Sequence, residues 1–420
     1  MKEKLSDLKL PLILIGEIIG CLLLGDSLPL QLKSFLYGFS LTLKEILMTA
    51  LPFIIFSFLV NSMINIRKET DLNSHEQKDF KRVLETFCFP LLIFSLVCLS
   101  NFVSTTVAGF LGAITLNEGN FLKMVSEPLN ALHPLWTPSL PRIASNDQAL
   151  ASGVIIGLVI SFLGIYWKVD KIRRFAQGCQ KASLLFLKRG FIPLIPLFIL
   201  GFILKIQHDG TLGVIFKDYL PLFCYITLFA FAYIFFLYGV VHNFQIRPWI
   251  QSIRSMIPAM LTGFSTMSSA SALPLIIQGS EKNTQHSLTR GVVPFVVNIH
   301  LIGDCFFIAI LALGILMSFG MGLPSPQTYF IFTCFFVVAK FAVAAVPGGG
   351  ILVMIPILEK YLGFSGEMLS LITALYILFD PIITSANVMG NGAFSMIFIR
   401  LYKRLGLIQE SPSSSMSAPM

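Results

Sequence analysis

The stretch GFSTMSSASALP, Gly263 to Pro274, lies in the middle of an apolar run from Ile250 to Gln278 and interrupts it with glycine, serines and proline. A second interruption, AAVPGGG, Ala344 to Gly350, divides the apolar run from Tyr329 to Leu358. Each half of these runs is about 10 to 14 residues, whereas a helix needs about 20 to cross a bilayer. Broken backbone is tolerated at membrane depth only where it is buried in protein or lines a polar cavity. The pattern therefore predicts two re-entrant helical hairpins, at 250–285 and 329–360, with their tips near the middle of the membrane. Two kinked full spans are the alternative. They would reverse the topology twice and leave the far terminus on the same side, so loop charge does not separate the two arrangements.

Composition places these runs in a membrane. Of 420 residues, 55% are hydrophobic and only 12% charged, with a mean hydropathy of +0.80. A soluble chain of this length needs more charge to cover its surface. The net charge of +8 sits in loops between apolar segments, which argues for topology rather than for nucleic acid. The seven cysteines form no CxxC pair, and Cys21, Cys98, Cys224, Cys305 and Cys334 lie in apolar segments as small hydrophobes.

Full spans are expected at 8–25, 35–62, 82–113, 149–167, 185–206, 217–241, 290–318 and 367–398. The fold class is thus an all-α polytopic membrane protein with eight transmembrane helices plus the two hairpins. The first segment is read as a retained helix, because Glu17 interrupts it and no small-x-small cleavage site follows. Arg67 to Arg82 is a polar loop with five Lys or Arg, and Lys168 to Arg189 another with seven. The positive-inside rule puts both loops and both termini in the cytoplasm. The end from Glu410 is polar and rich in Ser and Pro, as in a disordered tail.

Each hairpin is followed by a long helix, and paired interrupted segments point to a secondary transporter's binding site. In the last helix Asp380, Thr384, Asn387 and Asn391 are spaced to share one face. Pro381 lacks an N–H, which frees a carbonyl near Ile377. Intramembrane acids usually mark a substrate or ion path; the bland alternative is a structural ion pair of Asp380 with Lys340. The preceding helix carries NIHLIGD, Asn298 to Asp304, whose His300 and Asp304 are four apart and expected on one face. A proton relay through His300 is one possibility.

Hairpin, helix, hairpin, helix, with TMSSASALP and VPGGG at the tips, resembles the dicarboxylate/amino acid:cation symporters, the glutamate-transporter homologues. Ser268 and Ser269 with Leu273-Pro274 look like that family's first tip, Val346-Pro347-Gly348 like its second, and Asn387-Val388-x-Gly390 like the closing motif of its last helix. The resemblance implies a homotrimer in a plasma membrane, the inner membrane if the source is bacterial. Residues 1–81 and 114–216 would form a fixed scaffold, 82–113 and 217–398 a moving transport core, and 399–420 a cytoplasmic tail. It further implies that Asp380 binds a substrate ammonium, Asn387 its α-carboxylate, and the tips the rest, with no cofactor beyond a coupling Na+ or H+.

The departures from the family matter as much. Acidic-substrate members carry an arginine one turn past the aspartate, where this chain has Ile383, and others carry one at the first tip, where it has Met267. Without either cation a glutamate side chain would be desolvated unpaired, so a neutral amino acid is expected. The family's N-M-D-G-T reads His300-Leu301-Ile302-Gly303-Asp304, and a second sodium-ligating carboxylate becomes Asn391. Hard cations need oxygen ligands, which Ile302 does not supply. Lys340 falls in a cation-binding stretch, where its ammonium stands in for a sodium ion or pairs with Asp304; an unpaired Asp304 would instead favour a basic amino acid. Weak sodium dependence follows, with proton coupling or exchange as substitutes. A sodium- or proton-coupled glutamate/aspartate symporter is the alternative. The rivals from other classes are a channel, an intramembrane hydrolase built on Ser268, His300 and Asp304, and a non-transporting sensor.

Overall fold

A computed structural model describes residues 9–65, 80–118, 132–141, 144–166, 170–209, 212–286, 288–343 and 348–405. Val346 and Pro347, most of the first basic loop and the Ser/Pro-rich end lie outside the described residues. The described residues form helices and no strand: α1 (Lys9–Leu24), α2 (Leu30–Asn65), α3 (Phe80–Glu118), α4 (Asn146–Tyr166), α5 (Asp170–Leu185) and α6 (Ile195–His208) come first. There follow α7 (Leu212–Val241), α8 (Ile246–Thr266), α9 (Ser269–Thr284), α10 (Thr289–Val296), α11 (Ile302–Ser318), α12 (Pro326–Ala339), α13 (Gly349–Leu362) and α14 (Gly366–Arg404). By length and composition, five helical stretches can cross a bilayer unaided: Leu30–Asn61, Leu91–Asn117, Asp170–His208, Tyr219–Val241 and Gly366–Arg404. Many large apolar side chains on α1, α4 and α7 face outward, among them Leu23, Ile155 and Leu228, as expected of a surface solvated by lipid.

Local chemistry sets the helix ends that matter. At the first interruption α8 runs to Thr266. Met267 adopts a left-handed conformation (φ 48°) as its cap, and Ser268 caps α9 by accepting the Ser271 N–H at 3.3 Å. The break is thus two residues wide rather than the whole glycine- and serine-rich stretch, because serines and threonines satisfy themselves on the preceding turn: Thr266 Oγ1 donates to the Thr262 carbonyl at 2.8 Å. α9 folds back along α8, tied at its far end where Asn283 Nδ2 donates to the Ser252 carbonyl at 3.0 Å. At the second interruption α12 ends in a 3-10 turn, Lys340–Ala342, and α13 begins after Gly348, whose φ of +71° suits glycine.

Two expectations are corrected. The span at 290–318 is not one helix: α10 and α11 are separated by Val297–Leu301. Asn101 of α3 meets backbone groups that the break leaves without helical partners. Its Nδ2 donates to the Ile299 carbonyl at 2.8 Å, and its Oδ1 accepts from the Leu301 N–H at 3.3 Å. The basic stretch expected as a loop from Lys168 to Arg189 is helical from Asp170 and runs on through a π turn into α6. It docks on α2 through Ser57–Ser183 at 2.7 Å and Asn61–Gln180 at 2.6 Å, with Lys171, Arg174 and Lys181 exposed on its outer side and Arg173 half-buried.

Helices α4, α5 and α6 each pack on α2. Helix α14 packs on α8, α9, α11 and α7, and α11 packs on α3. The second group surrounds the first interruption and the break before α11, while the 3-10 turn of the second interruption also packs on α2, and α14 also packs on α6.

Candidate functional site

The interruptions converge. Met267, Ser268 and Ser269 from the first, Asn298 and Leu301 from the break before α11, and Gly350 beyond the second border one cavity with Asp304 and the polar face of α14. Its space is about 390 Å³ including the open mouth. None of the described residues lining it is Lys, Arg or His.

Asp380 and Thr384 do share a face, as their spacing requires: Thr384 Oγ1 donates to Asp380 Oδ1 at 3.0 Å. The other oxygen, Oδ2, accepts the Gly348 backbone N–H at 3.0 Å. A carboxylate is favourable there because the first amides of α13 carry the positive end of the helix dipole. The bland alternative for Asp380 is answered by geometry, since Lys340 pairs with Asp304 instead, Nζ to Oδ2 at 3.7 Å.

Asp304 opens α11 and is buried. Its Oδ1 accepts from Asn387 Nδ2 at 2.9 Å and from the Tyr376 hydroxyl at 3.1 Å, while its own N–H points to Asn387 Oδ1 at 3.4 Å. Oδ2 faces Gly350, where a Cβ would come to 2.6 Å; only glycine allows this approach. The cavity thus presents two carboxylates, Ser268 and Ser269 at the start of α9, and amide groups of α9 and α13 that no helical bond uses.

His300 does not join Asp304. The break leaves Leu301 outside helical geometry (φ −125°, ψ 71°), so the four-residue spacing no longer puts both on one face. The His300 ring is bonded through Nε2 to Ser100 at 2.8 Å and lies against Phe394, ring centroids 4.4 Å apart. Asn391 is fully buried beside it, its amide within reach of the imidazole. Ile383 is buried but does not line the cavity; its carbonyl faces Gly303.

Sequence reasoning missed Tyr376 and Asn101. Tyr376 stands one turn before Asp380 in an apolar stretch, where a tyrosine gives no signal by itself. Asn101 was detectable, since LSNFVSTT, Leu99 to Thr106, is a polar cluster inside an otherwise apolar span.

Fold and site together define an all-helical integral membrane protein whose broken helices enclose a buried, acid-lined cavity. The chain belongs to the sodium:dicarboxylate symporter family, whose family model matches residues 10–401. It is 25% identical over 246 residues to the proton/sodium-glutamate symport protein of Geobacillus stearothermophilus, covering 58% of this chain and 57% of that protein. It is 29% identical over 190 residues to the proton/glutamate-aspartate symporter of Escherichia coli K12, covering 44% and 43%. It is 30% identical over 147 residues to human excitatory amino acid transporter 2, covering 34% and 25%. The matches therefore span less than two thirds of the length of these relatives. The family is one of symporters rather than enzymes, which sets the hydrolase aside.

Proposed function

We propose that the chain is a secondary carrier for a neutral amino acid. The observation that carries this reading is the cavity lined, among the described residues, by two carboxylates and no cation, in which Asp304 already has Lys340 as its partner. Asp380 would then hold the substrate ammonium, and Asn387, Ser268, Ser269 and the helix starts at both tips its α-carboxylate. Thr384 holds Asp380 in place. A glutamate side chain would meet like charge and no guanidinium, and a lysine side chain would compete with Lys340 for Asp304.

The broader organisation proposed is eight spans with two re-entrant hairpins, α8–α9 and α12–α13, both termini in the cytoplasm of a plasma or bacterial inner membrane, and a homotrimer. A core containing both hairpins would slide against α1, α2, α4, α5 and α6. The glutamate in the names of these relatives supports a second reading, a sodium- or proton-coupled glutamate or aspartate symporter.

Uptake of radiolabelled amino acids into proteoliposomes separates them. Alanine, serine, leucine or tryptophan should be taken up and glutamate and aspartate should not; the reverse result rejects the neutral assignment. Saturable counterflow distinguishes a carrier from a channel, and binding without uptake would indicate a sensor. Met267→Arg supplies the missing cation at a residue already in a helix-capping conformation. It is expected to raise glutamate binding by about tenfold, the effect of one charge-assisted pair, and to depress binding of the neutral substrate. No gain in a calorimetric titration would count against the proposed side-chain position.

A further inference from the structure

A sodium ion, implied by the family, would need several oxygen ligands. The acidic side chains among the described residues do not fit one. Among the described residues no three His, Cys, Asp or Glu converge to hold a metal ion, and both cavity carboxylates are already bound by protein donors. Ile302 has no donor, and Asn391 offers one neutral amide oxygen. A cation is nevertheless present, and it is covalently attached. Lys340 is fully buried and Asp304 is 1% exposed. The ammonium has no hydrogen-bond partner among the described residues, lying 3.7 Å from Asp304 Oδ2 and 4.4 Å from the centroid of the Phe336 ring.

The position of this pair gives it a task. Lys340 ends the first arm of the second broken pair, and Gly348 begins the second arm. Asp304 holds the former and Asp380 the latter, so carboxylates from α11 and α14 grip both arms on either side of the interruption. Closing those arms over an uncompensated Asp304 would bury a lone charge at high cost. We infer that the Lys340 ammonium is a tethered substitute for a coupling cation, which lets α12 and α13 close over the cavity without free sodium. Closure is then independent of the sodium gradient, and the carrier works as an exchanger or a facilitated route for its substrate. This inference rests on the carrier reading above.

The test compares the wild type with Lys340→Ala and Lys340→Arg in two assays. One is proteoliposome uptake of whichever neutral amino acid raises the unfolding temperature. The other is the unfolding temperature itself, in sodium, choline and methylammonium chlorides. Wild-type uptake should differ by less than about twofold between sodium and choline, within roughly 0.4 kcal/mol of sodium linkage, with no sodium effect on unfolding. Lys340→Ala should unfold roughly 5 °C lower in choline. It should also lose about tenfold in uptake there and recover both in sodium or methylammonium, while Lys340→Arg should stay near wild type. A small cation entering the vacated space is the readout that a merely structural lysine would not give. A wild type whose uptake or unfolding temperature rises with sodium overturns the inference, as does a Lys340→Ala protein indifferent to all three salts. If that variant does not fold, the wild-type salt comparison alone decides. Absence of any amino-acid uptake rejects the carrier reading, and the unfolding temperatures still decide the cation question.

Discussion

Asp380→Asn is expected to abolish amino-acid uptake while leaving a folded protein in the membrane. The substitution keeps size and shape: the amide oxygen accepts the Gly348 N–H in place of Oδ2, and the amide nitrogen takes the place of Oδ1 and donates to the Thr384 hydroxyl, which can accept as well as donate. It removes the one charge facing the cavity that no cation compensates. A substrate ammonium leaving water for this site would lose its counter-charge, which costs about 3–5 kcal/mol, or roughly two to four powers of ten in affinity. Asp380→Glu retains charge but advances the carboxylate by one methylene toward the tip, so an intermediate loss is expected. The measurement is substrate-dependent thermal stabilisation alongside uptake: ligands that bind the native state stabilise it. An Asp380→Asn protein that is still stabilised by the same amino acid at the same concentration would remove Asp380 from the binding role.

Gly303→Ala is expected to damage fold and site together. Gly303 begins α11 directly against α14. A Cβ there would collide with the Ile383 carbonyl and come to 2.9 Å from Asn387 Oδ1 and 3.1 Å from Ala386 Cβ. The first obstacle is backbone in the middle of a buried helix, which cannot swing aside as a side chain does. Overpacking of this kind costs about 1–3 kcal/mol, and the displacement would pull Asn387 from Asp304, the contact that joins α11 to α14 at the cavity. Gly291→Ala is the control. It lies in α10 with nothing within 4 Å of the added Cβ, and alanine is the better helix former by about 1 kcal/mol. Thermal unfolding in detergent and the amount of protein reaching the membrane should fall for the first and hold for the second. Equal stability of the two variants would mean that α11 and α14 do not meet as tightly as described.

Much of the fold was legible because the bilayer imposes simple rules. Interruptions such as Met267-Ser268 and Gly348 stand out in apolar sequence, and the helices end at them. The shared face of Asp380, Thr384 and Asn387 was likewise legible, since 3.6-residue periodicity holds wherever a helix is continuous, whereas Asn391 is not among the residues that line the cavity and lies beside His300. The same rule misled at NIHLIGD. Nothing in a run of apolar residues reports that α3 will supply Asn101 to satisfy an opened backbone, so His300 and Asp304 were assigned a common face that the break denies them. Ile383 illustrates a milder gap: its identity speaks for what the site lacks, although its side chain is packed away from the cavity.

By itself, then, the sequence determined a membrane location, the places where helices must stop and the identity of the buried acids, because these follow from hydropathy, backbone chemistry and helical spacing. Tertiary structure decided the partners. Lys340 had two candidate acids, and only packing assigned it to Asp304 and left Asp380 to the Gly348 amide. Charges in a dry interior must be matched locally, and which charge lies nearest depends on how distant helices are brought together.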